Sequence, residues 1–90
     1  MFSFNKTLAG NAYASATVTA SELGLAANEY IKICSVHHPW AGSASAFVAG
    51  IQMGYRVGDG NQSVIIDLYN SASASKTFVV QTECLTTHVL

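Results

Sequence analysis

Ninety residues, of which 50% are hydrophobic and 10% charged with a formal net charge of -1, allow one small domain with one core. The basic side chains, Lys6, Lys32, Arg56 and Lys76, are scattered singly, which excludes the clustered positive charge that displaces counterions from nucleic-acid phosphate. The longest apolar run, residues 46–51, is far short of the ~20 residues of a spanning helix, so no membrane insertion is expected.

In chain order, residues 12–20 alternate cleanly, with Ala12, Ala14, Ala16, Val18 and Ala20 on one side and Tyr13, Ser15, Thr17 and Thr19 on the other. This twofold period predicts a strand. Thr19-Ala20-Ser21-Glu22 fits a capping box, which opens one short helical turn that Gly24 stops. Residues 30–36 form the next predicted strand, with Ile31 and Ile33 facing one way. Residues 37–45 are a loop holding the single proline, the single tryptophan and two of the three histidines. Residues 46–57 form a long strand, and Gly58-Asp59-Gly60-Asn61 is a turn, because Gly and Asn tolerate positive φ. Residues 62–70 and 76–85 are the last two strands, joined by the Ser/Ala run 71–75. Helical periodicity is almost absent, so the fold class is all-β: a small antiparallel β-sandwich of about six to seven strands, with at most one helical turn near 20–24.

A four-residue turn at 58–61 opposes Val57 to Gln62. It then pairs Tyr55 with Val64, Met53 with Ile66 and Ile51 with Leu68, apolar on apolar throughout, while Gln52 meets Asp67 and Arg56 meets Ser63. A one-residue slip would turn every side chain of one strand to the wrong face. The same rule sets Leu68 near Phe78 and Ile66 near Val80, unless strands 62–70 and 76–85 lie in facing sheets. The expected core is Ile31, Ile33, Ile51, Met53, Ile66, Leu68, Phe78 and Val80.

Charge poverty adds a second expectation. An average soluble domain carries about 25% charged residues, and a chain of this size buries only about 60–65% of the surface it exposes when unfolded. Much of the uncharged surface is therefore expected to be covered by copies of the chain itself. The small faces at 12–20 and 48–56, the latter including Val48, Gly50, Gln52, Gly54 and Arg56, are the expected subunit contacts. Cys34 and Cys84 fall in apolar, strand-like runs without Cys-x-x-Cys spacing. Buried thiols acting as small hydrophobes are the simplest reading, and a disulfide or a metal or redox role stays open. Asn5, Lys6, Thr7 and Asn11 interrupt any signal-peptide apolar stretch, so no secretion by signal peptide is expected.

The order of these elements carries a resemblance. An alternating Ala/Thr/Val strand leads to Ser21-Glu22-Leu23-Gly24-Leu25, then a strand ending in a Pro-containing loop, and a long strand with small residues. Gly60-Asn61-Gln62-Ser63-Val64-Ile65-Ile66-Asp67-Leu68-Tyr69-Asn70, a short polar loop and a final strand follow. Over residues 12–85 this resembles the small C-terminal β-sandwich (jelly-roll-like) modules of bacteriophage tail fibres and tail spikes. The resemblance implies a homotrimer in the virion, made in the bacterial host cytoplasm. It also implies receptor- or carbohydrate-binding at a fibre tip, or a trimerisation and folding cap. The His37-His38-Pro39-Trp40 loop and the tail 86–90 depart from the pattern.

Trp40 offers a broad apolar face with one N–H donor, suited to a sugar ring when His37 or His38 stands beside it; its other role is to plug the end of the sandwich. Tyr30, Lys32, Asp67, Tyr69 and Gln81 should fall on outward strand faces, a mixture that binds saccharide or simply meets water. His37, His38 and His88 are potential metal ligands, but adjacent residues of an extended segment point to opposite faces, and no metal or cofactor is expected. No G-x-S-x-G elbow or phosphate loop occurs, and Glu22, Glu29, Asp59, Asp67 and Glu83 show no acid/base spacing. The expected function is therefore non-enzymatic: a trimeric module for a bacterial surface glycan, with a ligand-free cap or a fragment of a glycan-degrading enzyme as alternatives. The ligand set expected from the sequence is Trp40, His37, His38, Tyr69, Asp67 and Gln81.

Overall fold

The computed structural model describes residues 1–37 and 51–89, a range that excludes His38, Pro39, Trp40, Val48 and Gly50. Among the described residues six strands run in the order β1 (Phe2–Leu8), β2 (Tyr13–Val18), β3 (Glu29–His37), β4 (Ile51–Val57), β5 (Val64–Asn70) and β6 (Lys76–His88). A single turn of helix, α1 (Ala20–Leu23), follows β2, and a 3-10 turn, Asp59–Asn61, follows β4. The strands form two three-stranded antiparallel sheets, ordered β1-β6-β3 and β2-β5-β4. The all-β sandwich expected from the sequence is the fold.

Local chemistry accounts for the short elements. The Thr19 hydroxyl accepts from the Glu22 amide at 3.2 Å, and the Glu22 carboxylate accepts from the Thr19 amide at 3.0 Å. This is the reciprocal capping box the sequence announced. Gly24 ends the turn in the left-handed region at φ 74°, which costs glycine little. At the other turn Gly60 and Asn61 take φ of 82° and 56°.

The two sheets press their inner faces together. Leu8, Val18, Ile31, Val36, Val64, Ile66, Leu68 and Val80 are buried, and Phe2, Phe4, Ala12, Ala14, Met53, Cys34 and Cys84 pack around them. Among the expected core residues, Ile31, Ile66, Leu68 and Val80 are buried and Met53 lies at the core margin; the side chains of Ile51 and Phe78 are outside the described set. The sequence reading overlooked β1. Its inward positions Phe2, Phe4 and Leu8 alternate with Ser3, Asn5 and Thr7, but Lys6 interrupts the apolar series.

Two expectations are corrected. Ile33 is 63% exposed rather than buried. The β3–β6 register shifts between Ile31 and Ile33, so Lys32 is an extra residue, a bulge, and every side chain after it changes face. The β4–β5 pairing is displaced by two residues: Val57 opposes Val64, Tyr55 opposes Ile66 and Met53 opposes Leu68. The Gly58 amide donates to the Ser63 carbonyl at 2.9 Å, which closes a loop over 58–63 instead of 58–61. A two-residue slip keeps each residue on its face, so the apolar pattern could not reveal it. Finally, β5 and β6 belong to the two facing sheets, the alternative that the sequence left open, so Leu68–Phe78 and Ile66–Val80 are not ladder pairs.

Asn70 ties the sheets together at one end. It is fully buried, and its amide nitrogen donates to the carbonyls of Leu8, Ala9 and Ala74 at 3.0–3.2 Å. Its side-chain oxygen accepts from the Ala72 amide at 3.0 Å. At Gly10 a Cβ would stand 2.0 Å from the Ser73 carbonyl oxygen, so only glycine lets the β1–β2 turn approach the 71–75 connection. Gln62 braces the other end, donating to the carbonyls of Ala27 and Glu29 at 3.0 and 3.1 Å.

Candidate functional site

The outer face of the β2-β5-β4 sheet gathers polar and aromatic residues in ordered rows. Strand β5 lies between β2 and β4 and buries Val64, Ile66, Leu68 and Asn70, so Ile65, Asp67 and Tyr69 point outward. The two ladders place three rows across this face. Tyr13, Tyr69 and Gln52 form one row, Ser15, Asp67 and Gly54 the next, and Thr17, Ile65 and Arg56 the third.

Tyr13 is 65% exposed, and its hydroxyl donates to Asp67 Oδ1 at 2.9 Å. The contact runs diagonally between neighbouring rows, a reach open to long aromatic side chains. The carboxylate holds the phenolic proton, so the Tyr13 pKa rises above its ordinary value, first through this hydrogen bond and then through desolvation and the Asp67 charge. A Cβ at Gly54 would meet nothing within 4 Å; the glycine leaves a gap in the sheet surface beside Asp67. Two phenol rings, a carboxylate, an amide and a guanidinium thus share one sheet face around Gly54. Such a set offers ring faces for C–H surfaces and both donors and acceptors for hydroxyls.

Of the six residues expected from the sequence, the four that are described fall on two different faces. Asp67 and Tyr69 lie on this face. His37 and Gln81 are ladder partners on the outer face of the opposite sheet, where Gln81 Oε1 accepts from His37 Nε2 at 2.9 Å. His38 and Trp40 lie outside the described residues. Tyr13, Gln52 and Arg56 join Asp67 and Tyr69 instead. Alternation had already turned Tyr13 outward; the missing information was that β2 pairs with β5, a contact 54 residues apart in the Tyr13–Asp67 bond.

The opposite outer face has a different chemistry. Ile33 and Leu85 are ladder partners and are 63% and 59% exposed. They form an apolar cross-strand pair facing out beside the bulge at Lys32. Elsewhere, Glu29 accepts from the Thr86 hydroxyl at 2.6 Å and from the Ala26 amide at 3.1 Å. Those bonds lower its pKa below the usual carboxylate value against the opposing effect of burial, and nearby His88 lowers it a little further.

Among the described residues no group of three or more His, Cys, Asp or Glu side chains is placed to hold a metal ion. No helix there is long and apolar enough to cross a membrane. Comparison with protein-family models, with curated proteins and with solved structures finds no match for this chain.

Proposed function

We propose that this chain is a non-enzymatic module of the phage tail-fibre or tail-spike kind, a homotrimer that binds a bacterial surface glycan. The observation that carries the reading is the face built by Tyr13, Asp67, Tyr69, Gln52 and Arg56 around Gly54. Ring faces beside hydrogen-bonding groups on a rigid sheet suit a sugar, whose C–H faces are ringed by hydroxyls. Assembly is assigned to the other sheet, where the Ile33–Leu85 pair stands in water in a single chain. Covering that pair with a second copy is worth about 25 cal/mol per Å² of apolar area.

This reading moves the subunit contact. Sequence alone placed it on the faces at 12–20 and 48–56. The alanine side of 12–20 packs on the core through Ala12, Ala14 and Val18, and the outward side of β4 belongs to the polar-aromatic face. A glycan array probed with the purified chain tests the proposal. Binding that weakens in Tyr69→Ala while the trimer persists supports it; stable trimers that bind no glycan would leave only a structural cap.

A further inference from the structure

Cys34 and Cys84 oppose each other in the antiparallel β3–β6 ladder. Directly opposed residues in such a ladder have Cα atoms about 4.5 or about 5.5 Å apart, according to the pair type. Both separations fall inside the roughly 4.4–6.8 Å that disulfides span. Opposed Cβ atoms start about 4.5–5.5 Å apart, so closing to about 4 Å asks for a small adjustment. The surroundings allow it: β3 is an edge strand, and its bulge at Lys32 lies two residues before Cys34.

Both cysteines are free thiols, half-buried at the margin of the core. A depression of about 300 Å³ among Ile33, Ser35, Glu83 and Leu85 lies on the outer face of the sheet, away from the core side to which the thiols turn. A second cavity, of about 160 Å³, reaches Cys84 from the side of α1. It is lined there by Thr82, whose buried hydroxyl has no hydrogen-bond partner. The dithiol is therefore opposed, adaptable and accessible to a small reagent through Cys84.

We propose that Cys34 and Cys84 are a reactive dithiol that closes a cross-strand disulfide by exchange with a low-molecular-weight disulfide. One cysteine loses its proton to solvent, and its thiolate bonds to one sulfur of the reagent, breaking the reagent's S–S bond. The released half leaves as a thiolate and takes up a proton. The second cysteine, likewise deprotonated, attacks the protein-side sulfur of the mixed disulfide and expels the other half. Two cysteine S–H bonds are replaced by one S–S bond, and the reagent is reduced to two thiols. Burial raises both thiol pKa values, and Cys34 raises that of Cys84 further. The exchange is therefore slow at neutral pH and accelerates with alkalinity.

Closure would fasten an edge strand to the central strand of its sheet and cross-link a loop of about 50 residues in the unfolded chain. The test treats the purified, reduced chain with oxidised glutathione and follows intact mass, thiol alkylation and the thermal midpoint. The expected product has lost two hydrogens, resists alkylation at both cysteines and yields one linked Cys34–Cys84 peptide. Its midpoint rises by roughly 10 °C or more, and a dithiol reductant reverses the change. Cys34→Ser and Cys84→Ser should each show no rise under the same treatment. The proposal is overturned if the wild-type chain keeps two alkylatable thiols, accumulates glutathione adducts or links chains to one another, or if either serine variant shows the rise.

Discussion

The two outer faces of this sandwich are made by sheets of three strands each and of opposite character. On β2-β5-β4 the ladders stay in register, so Tyr13, Asp67, Tyr69, Gln52 and Arg56 form ordered rows of polar and aromatic groups. On β1-β6-β3 one extra residue, Lys32, rotates the rest of β3 and sends Ile33 out beside Leu85. A single bulge thus distinguishes a face suited to a polar ligand from a face with apolar surface left uncovered. In a chain with 10% charged residues, this difference decides where the uncharged surface goes.

The largest effect expected on this contrast comes from the residue that holds the sheets together. Asn70→Ala removes four hydrogen bonds at a fully buried site and takes a partner from the Ala74 carbonyl and the Ala72 amide in the β5–β6 connection. Urea unfolding should show a loss of about 2–4 kcal/mol, and an unchanged midpoint would mean that the faces are held independently. Next comes Leu85→Asp. It should leave the unfolding free energy within about 0.5 kcal/mol of the parent when read as a monomer, as surface changes do, while shifting the molecular mass from trimer to monomer. Survival of the trimer would remove assembly from the Ile33–Leu85 face.

Tyr13→Ala and Tyr69→Ala address the other face. Each should weaken glycan binding by up to about tenfold, the worth of one aromatic contact of about 0.5–1.5 kcal/mol, without changing the mass. Equal binding in both variants would take the ligand off the β2-β5-β4 sheet. A smaller effect is pH-dependent. Because the folded-state pKa of Glu29 lies below its ordinary value of 4.5, its contribution to stability is full above that value. It is lost as pH falls through the lowered folded value. Acid titrations of wild type and Glu29→Gln should therefore converge as pH drops, and curves that stay parallel would contradict the bonds to Thr86 and Ala26. The subtlest readout is the Tyr13 phenol: Asp67→Asn should move its titration back toward 10.0, because it removes the carboxylate that holds the proton.

What was legible in the sequence was local or periodic. Thr19 and Glu22 announced the helical turn, Gly60 and Asn61 announced the tight turn, and alternation correctly divided β2 and β5 into inward and outward sides. What was not legible was non-local. The bulge at Lys32 leaves Ile31 and Ile33 looking like a same-face pair, since the extra residue is recognisable only against its partner strand. The two-residue displacement of β4 on β5 preserves every face, so hydrophobicity is blind to it. The partition of β5 and β6 into facing sheets split the expected ligand set, leaving His37 and Gln81 on one side of the sandwich and Asp67 and Tyr69 on the other. That partition depends on sheet order, which no spacing in the chain encodes.

The account stands or falls on assembly, because the number of chains decides which face remains available to a ligand. Light scattering of the wild-type chain at micromolar concentration measures this directly. The account predicts three times the 9.5 kDa mass of one chain, falling to one chain in Leu85→Asp. A well-behaved 9.5 kDa monomer in the wild type would contradict it.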